Sequence, residues 1–161
     1  MKEAALPAWV RKKKRKRDEQ NRQASEAEEK RLKAAQILQL EGPAFWKRFI
    51  EGLELNATAC KQLSIRASVN PLHEETPKRE GFQIKVALES LTPSTNYLDV
   101  FYILGSDHIK CFPREGLPYQ IYLNVDTYGQ IFASSRRRFS FVSAGELAED
   151  IVEELVDSIG G

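Results

Sequence analysis

Phe82–Glu89 reads FQIKVALE, and this stretch decides the fold class of the chain. Every second residue from Phe82 to Leu88 is large and apolar, and the residues between them are polar or small. Successive side chains of a β-strand point to opposite sides, so this period of two predicts a strand with one buried face. Such a face needs neighbouring strands and a covering layer.

Short apolar segments lie on both sides of this stretch, and turn-forming residues separate them. Tight links between consecutive strands are typical of an antiparallel meander. We expect loops or turns at Asn70-Pro71, Thr76-Pro77, Thr92-Pro93-Ser94, Gly105-Ser106-Asp107 and Asp126–Gly129. The expected strands, five or six in all, are drawn from Leu63–Val69, Phe82–Leu88, Tyr97–Leu104, His108–Phe112, Tyr119–Val125, Gln130–Ser134 and Arg138–Val142.

Two segments with apolar residues at three- and four-residue steps flank the strands. The first runs from about Pro43 to Lys61, and the second follows a capping box formed by Ser143 and Glu146. Both patterns predict amphipathic helices. We therefore expect residues 42–161 to form one α+β domain, an antiparallel five- or six-stranded meander flanked by an N-terminal and a C-terminal helix.

A long basic helical arm is expected over residues 1–41, partly disordered at its start. Asp18–Glu41 contains no Gly or Pro and is rich in good helix formers, and Gly42-Pro43 is expected to end or kink this helix. The arm opens with seven consecutive cations: Arg11, Lys12, Lys13, Lys14, Arg15, Lys16 and Arg17.

Charge is unevenly distributed along the chain. Residues 1–41 carry 12 Lys and Arg against 7 Asp and Glu, whereas residues 42–161 carry 12 against 16. A basic arm beside an acidic body predicts an anionic partner for the arm. The seven cations fit nucleic-acid phosphates, anionic lipid headgroups or a nuclear import receptor equally well. The alternative is a solvated leader that aids solubility or makes contacts within a homo-oligomer.

Arg136, Arg137 and Arg138 form a second basic cluster, between two expected strands. Such a cluster can bind a phosphate or carboxylate bidentately. Alternatively, its charges protect a sheet edge from aggregation. A further hypothesis is that the acidic face of the last helix pairs with the basic arm of the same chain or of a second subunit.

Aromatic residues give two further hypotheses about the sheet. If both helices cover one face, the other face presents an aromatic surface for a protein partner, formed by Tyr97, Phe101, Tyr122 and Phe132. In the alternative, the helices leave an aromatic-lined cavity for a small ligand. That cavity would be lined by Phe82, Phe101, Tyr119 and Tyr122.

Enzyme function is not indicated. Asp107, His108 and Cys111 are the best candidate triad, but strand alternation places His108 and Cys111 on opposite faces. His73 stands at no recognised spacing from a nucleophile or metal ligand. Cys60 and Cys111 are interpreted as small buried apolar residues. We expect no catalytic residue, no cofactor and no metal.

The expected function is therefore that of a non-enzymatic binding or adaptor protein. Its basic N-terminal helix would contact an anionic surface, and its α+β domain would serve protein interaction or dimerisation. The sequence contains no apolar run near the about 20 residues needed to span a bilayer, and no signal peptide is recognised at its N-terminus. We expect a cytoplasmic protein, or a nuclear one if the source is eukaryotic.

Overall fold

The computed structural model describes residues 5–73, 78–90 and 94–160. The expected loop at Thr76-Pro77, the expected turn at Thr92-Pro93 and the first residues of the arm lie outside these ranges. The chain divides into two compact units, Met1–Ala34 and Ala35–Gly161. Leu38 is buried in the core of the second unit.

The chain has an α+β fold with a long N-terminal helix, an antiparallel sheet and a C-terminal helix. A short 3₁₀ helix, Cys60–Leu63, links the first helix to the sheet. The elements are α1 (Ala8–Ala59), β1 (Ile65–Leu72), β2 (Arg79–Leu88), β3 (Thr95–Ile103), β4 (His108–Pro113), β5 (Tyr119–Val125), β6 (Ile131–Ser135), β7 (Ser140–Val142) and α2 (Ala144–Gly160).

The sheet is a seven-stranded meander in which each strand pairs antiparallel with the next. The expected count of five or six strands was wrong, because β7 pairs with β6 in the register Ala133↔Val142. The first strand also continues through Asn70 and Pro71, which were expected to end it. Pro71 is tolerated because β1 is an edge strand. Such a strand has a neighbour on one side only, so a missing N–H on its open side removes no hydrogen bond from the sheet.

Gly42 and Pro43 lie inside α1, so of the two expectations, an end or a kink of the helix, the end was wrong. A proline inside a helix costs about 3 kcal/mol. Burial of large side chains on both sides offsets this cost, since Leu38 and Phe45 are each buried and such a side chain contributes about 1.5–3 kcal/mol. Gly42 packs directly against the hydroxyl of Tyr102, which fixes this turn of the helix on the sheet.

One face of the sheet, here called the inner face, packs against both helices. Its buried residues form one core with apolar side chains of α1 and α2. The opposite face is called the outer face. Residues of the inner face alternate along each strand with outer-face residues, as the period of two in Phe82–Glu89 predicts. The core includes Ile84, Val86, Val100, Ile109 and Ile121 from the strands, Phe49 and Leu53 from α1, and Leu147 and Ile151 from α2.

The predicted capping box begins α2. The backbone N–H of Glu146 donates to the hydroxyl of Ser143 (3.2 Å), and the N–H of Ser143 donates to the Glu146 carboxylate (3.1 Å). These contacts satisfy two donors that a helix start otherwise leaves unpaired. The N–H and the hydroxyl of Ser143 hold the pKa of the Glu146 carboxyl below its ordinary value.

The two helices approach each other closely at Gly52. A Cβ atom placed on Gly52 would lie 2.8 Å from the Cβ of Ala148, well inside the optimum of about 3.5–4.0 Å for two carbons. Gly145, in the first turn of α2, has no heavy atom near its own Cβ position among the described residues. Because Gly52 has no side chain, α1 and α2 can pack this closely.

We expect Gly52→Ala to lower the free energy of unfolding by about 1 kcal/mol, because overpacking outweighs the better helix propensity of alanine. Gly145→Ala gains propensity without a clash, so it should raise that free energy by up to about 1 kcal/mol. Urea unfolding followed by far-ultraviolet circular dichroism measures both. A higher free energy of unfolding for Gly52→Ala would show that α1 and α2 are not in close contact at Gly52.

Candidate anion-binding segment and sheet surfaces

The seven cations Arg11–Arg17, here called the basic segment, lie in the first part of α1 and are all exposed. The first turn of α1 holds no acidic residue. A helix start carries a partial positive charge, so cations placed there add to an already positive end. The segment is thus a dense concentration of positive charge on a regular helix.

Most of the basic segment has no partner of opposite charge. Within the described residues, no carboxylate pairs with Arg11, Lys12, Lys13, Arg15, Lys16 or Arg17. Lys13 places its Nζ atom 5.7 Å from the centre of the Trp9 ring.

Two arginines further along the same unit are paired. Arg22 contacts the carboxylates of Glu19 and Glu26, the latter at 2.9 Å, and Arg31 contacts Glu28 at 2.6 Å. Acids spaced three or four residues away on the helix make these contacts. The basic segment itself contains no acid, and the nearest acids that follow it, Asp18 and Glu19, are two against seven cations.

The three arginines of the second cluster have different surroundings. The guanidinium of Arg136 lies over the ring of Tyr119, 4.0 Å from its centre. Arg137 binds two carboxylates of α2, those of Glu153 (3.1 Å) and Asp157 (3.0 Å). Such exposed pairs contribute little stability individually.

Arg138 belongs to a more buried network. Its Nε donates to Asp150 (3.0 Å) and its Nη1 to Glu146 (2.7 Å), while the hydroxyl of Ser135 donates to the second oxygen of Asp150 (2.7 Å). Asp150 is only 6% exposed, so its charge depends on these donors. Carboxylates of α2 thus stand where an external anion was expected, and anion binding by Arg136, Arg137 and Arg138 stays a prediction.

We expect Asp150→Asn to lower the free energy of unfolding by about 2 kcal/mol, because a buried charge-assisted network is broken. Asp157→Asn removes one exposed partner of Arg137 and should cost less than about 1 kcal/mol. Both are measured by urea unfolding. Equal losses would show that Asp150 does not hold the end of β6 and the following turn on α2 more strongly than the surface pairs do.

Four of the five predicted surface aromatics share the outer face. Tyr97, Phe101, Tyr122 and Phe132 occupy the alternate positions that point away from the helices. Tyr119 does not join them, because it pairs with Cys111 on the inner face. The residues of the predicted partner surface are therefore divided between two faces of the sheet.

The outer face also carries apolar side chains that the predicted partner surface did not include. Phe112 packs edge-on against Phe101, with ring centres 5.6 Å apart. Phe141 on β7 is 54% exposed and is separated by β6 from Tyr122 on β5, which is 57% exposed. Alternation within β4 would have placed Phe112 beside Phe101, but the position of Phe141 depends on the register of β7, which is three residues long.

The cavity predicted from four aromatics does not form. Phe82 and Tyr119 lie on the inner face, whereas Phe101 and Tyr122 lie on the outer face, because one-residue differences in strand position reverse side-chain direction. Other cavities are present among the described residues of the second unit. A cavity of about 220 Å³ lies beside Tyr119 and Arg136. Another, of about 570 Å³, is bounded by α1, β6 and the start of α2.

The candidate triad is not assembled. His108 contacts Asp107 through Nδ1 at 2.9 Å, but it points to the outer face while Cys111 is buried on the inner face. Burial raises the pKa of the Cys111 thiol to about 12, so the thiol is protonated at neutral pH and is a poor nucleophile. Burial also raises the pKa of Cys60. His73 is the last described residue before residue 78. It is exposed and belongs to no candidate triad among the described residues.

No cluster of His, Cys, Asp and Glu side chains suited to a metal ion occurs among the described residues. In the same part of the chain, every helix is too short or too polar to cross a bilayer. Comparison with protein-family models, with curated proteins and with solved structures finds no match for this chain.

Proposed function

We propose that this chain is a non-enzymatic binding protein. The basic segment contacts an anionic surface, and the α+β unit supplies a surface for protein interaction or self-association. The observation that carries the proposal is the run of seven exposed cations, six of which have no carboxylate partner among the described residues. The proposed setting is the cytoplasm, or the nucleus if the source is eukaryotic.

Electrostatics supports the first half of this proposal. A charged group with no internal partner interacts mainly with solvent and mobile ions, and a fixed polyanion can replace those ions. Each basic residue near an anionic surface contributes roughly 1 kcal/mol to binding. The paired cations Arg22 and Arg31 already have carboxylate partners and contribute less.

The outer face supports the second half. Ile103, Tyr122 and Phe141 are each about half exposed there, and Phe101 on β3 and Phe112 on β4 form an aromatic pair on the same face. Aromatic side chains are enriched at protein interfaces because they bury a large area with few rotatable bonds. The polar contact between Gln83 and Asp99 (3.0 Å) lies on the same face, so the surface is mixed rather than wholly apolar.

Immobilised heparin, a generic polyanion, tests the role of the basic segment. We expect Lys12→Gln/Lys13→Gln/Lys16→Gln to weaken binding roughly 100-fold, since three contributions of about 1 kcal/mol are lost. Glutamine keeps the helix propensity of lysine, so α1 should persist. The measurement is the dissociation constant at 0.15 M salt.

Arg22→Gln/Lys30→Gln/Arg31→Gln is the matched control, because it removes the same number of charges from a later stretch of the same helix, in which Arg22 and Arg31 have carboxylate partners. Its affinity should stay close to that of the unchanged protein. Equal losses in the two triple variants would mean that only net charge matters. Unchanged binding in the first triple variant would contradict the proposal.

A small-ligand-binding protein is the second candidate. The cavity of about 570 Å³ favours it, since ligand sites commonly have volumes of about 300–1,000 Å³. Phe45 and Ile131 give this cavity an apolar part, and Glu41, Arg48 and Glu51 give it a charged rim. A small molecule retained by the purified protein in native mass spectrometry would favour this function over the first.

A further inference from the structure

The cations of the basic segment surround the helix axis. Successive residues of an α-helix are rotated by about 100°, so seven consecutive residues point in seven directions. Arg11 and Arg15 lie about 40° apart on one side, and Lys13 and Arg17 lie about 40° apart on nearly the opposite side. The segment therefore has no uncharged face.

A flat anionic membrane matches this arrangement poorly. A helix that lies in a membrane interface needs an apolar face, and Arg11–Gln23 contains no apolar residue. A helix with its side chains is about 10–12 Å wide, whereas the screening length at physiological salt is about 8 Å. Charges on the far side of the helix would therefore interact weakly with a plane.

We propose that the anionic partner is double-stranded DNA and that the basic segment lies in its major groove, an inference that rests on the proposed function. The groove is about 12 Å wide, admits one α-helix and has a phosphate backbone along each wall. Cations on opposite sides of the helix then face opposite walls. The segment consists of Arg and Lys alone, and contacts from their charges to phosphates, which carry no sequence information, supply most of its affinity.

Like-charge repulsion within the segment also favours such a partner. Arg11 and Arg15, Lys12 and Lys16, and Lys13 and Arg17 are like charges four residues apart, a spacing that destabilises a helix. The positive helix start adds to this repulsion. Phosphates on two sides relieve it, so binding should increase the helical circular dichroism signal.

Two double variants test the groove geometry directly. Arg11→Gln/Arg15→Gln removes cations from one side of the helix, and Lys13→Gln/Arg17→Gln removes them from the other. Affinity for a 20-base-pair duplex of arbitrary sequence is measured at several salt concentrations by fluorescence anisotropy. The unchanged protein should give a slope of log K against log salt of about −6, and each double variant should reduce its steepness by about 2. Arg22→Gln/Arg31→Gln, the control, should keep the slope of the unchanged protein.

The outcomes separate this inference from the proposed function. If only one double variant changes the slope, the contact is one-sided and the groove geometry is overturned. Tighter binding to vesicles of phosphatidylserine and phosphatidylcholine than to the duplex, at equal salt, also overturns the DNA inference but leaves the proposed function intact. If neither double variant alters binding to duplex, vesicles or heparin, both proposals fail.

Discussion

Burial of the inner face of the sheet is the constraint on which the rest of the structure depends. Seven antiparallel strands present one continuous apolar face, and α1 and α2 must lie side by side to cover it. The contact between Gly52 and Ala148 allows them to do so. With both helices on the inner face, the aromatic residues at the alternate strand positions point to the outer face. The acidic side of α2 then lies next to Arg137 and Arg138.

The composition of α1 explains why one helix has two roles. Between Leu38 and Ala57 its apolar residues recur at helical spacing and enter the core. Between Arg11 and Lys33 no such stripe exists, and every residue of this stretch is exposed. A helix without an apolar face gains nothing from burial, so its charges remain available to other molecules. The proposed DNA contact uses that availability.

Periodicity predicted most of the fold, because each strand and both apolar stripes leave local patterns. The capping box at Ser143 and the position of Cys111 follow from equally local rules. Continuity of α1 through Pro43 did not follow, since it depends on burial contributed by residues on both sides. The basic segment can be read from the sequence alone. The link between Arg138 and Asp150, in contrast, joins residues that only the packing of the turn between β6 and β7 against α2 brings together.

Amide hydrogen exchange along α1 is the most direct test of this account. If residues 45–53 hold the sheet together, their amides should exchange only through global unfolding. Amides of residues 12–33 should exchange at least roughly 1,000-fold faster, because an exposed helix with no packed face opens locally. Uniform protection from residue 12 to residue 53 would contradict the account, since it would mean that the basic segment is itself part of a packed structure.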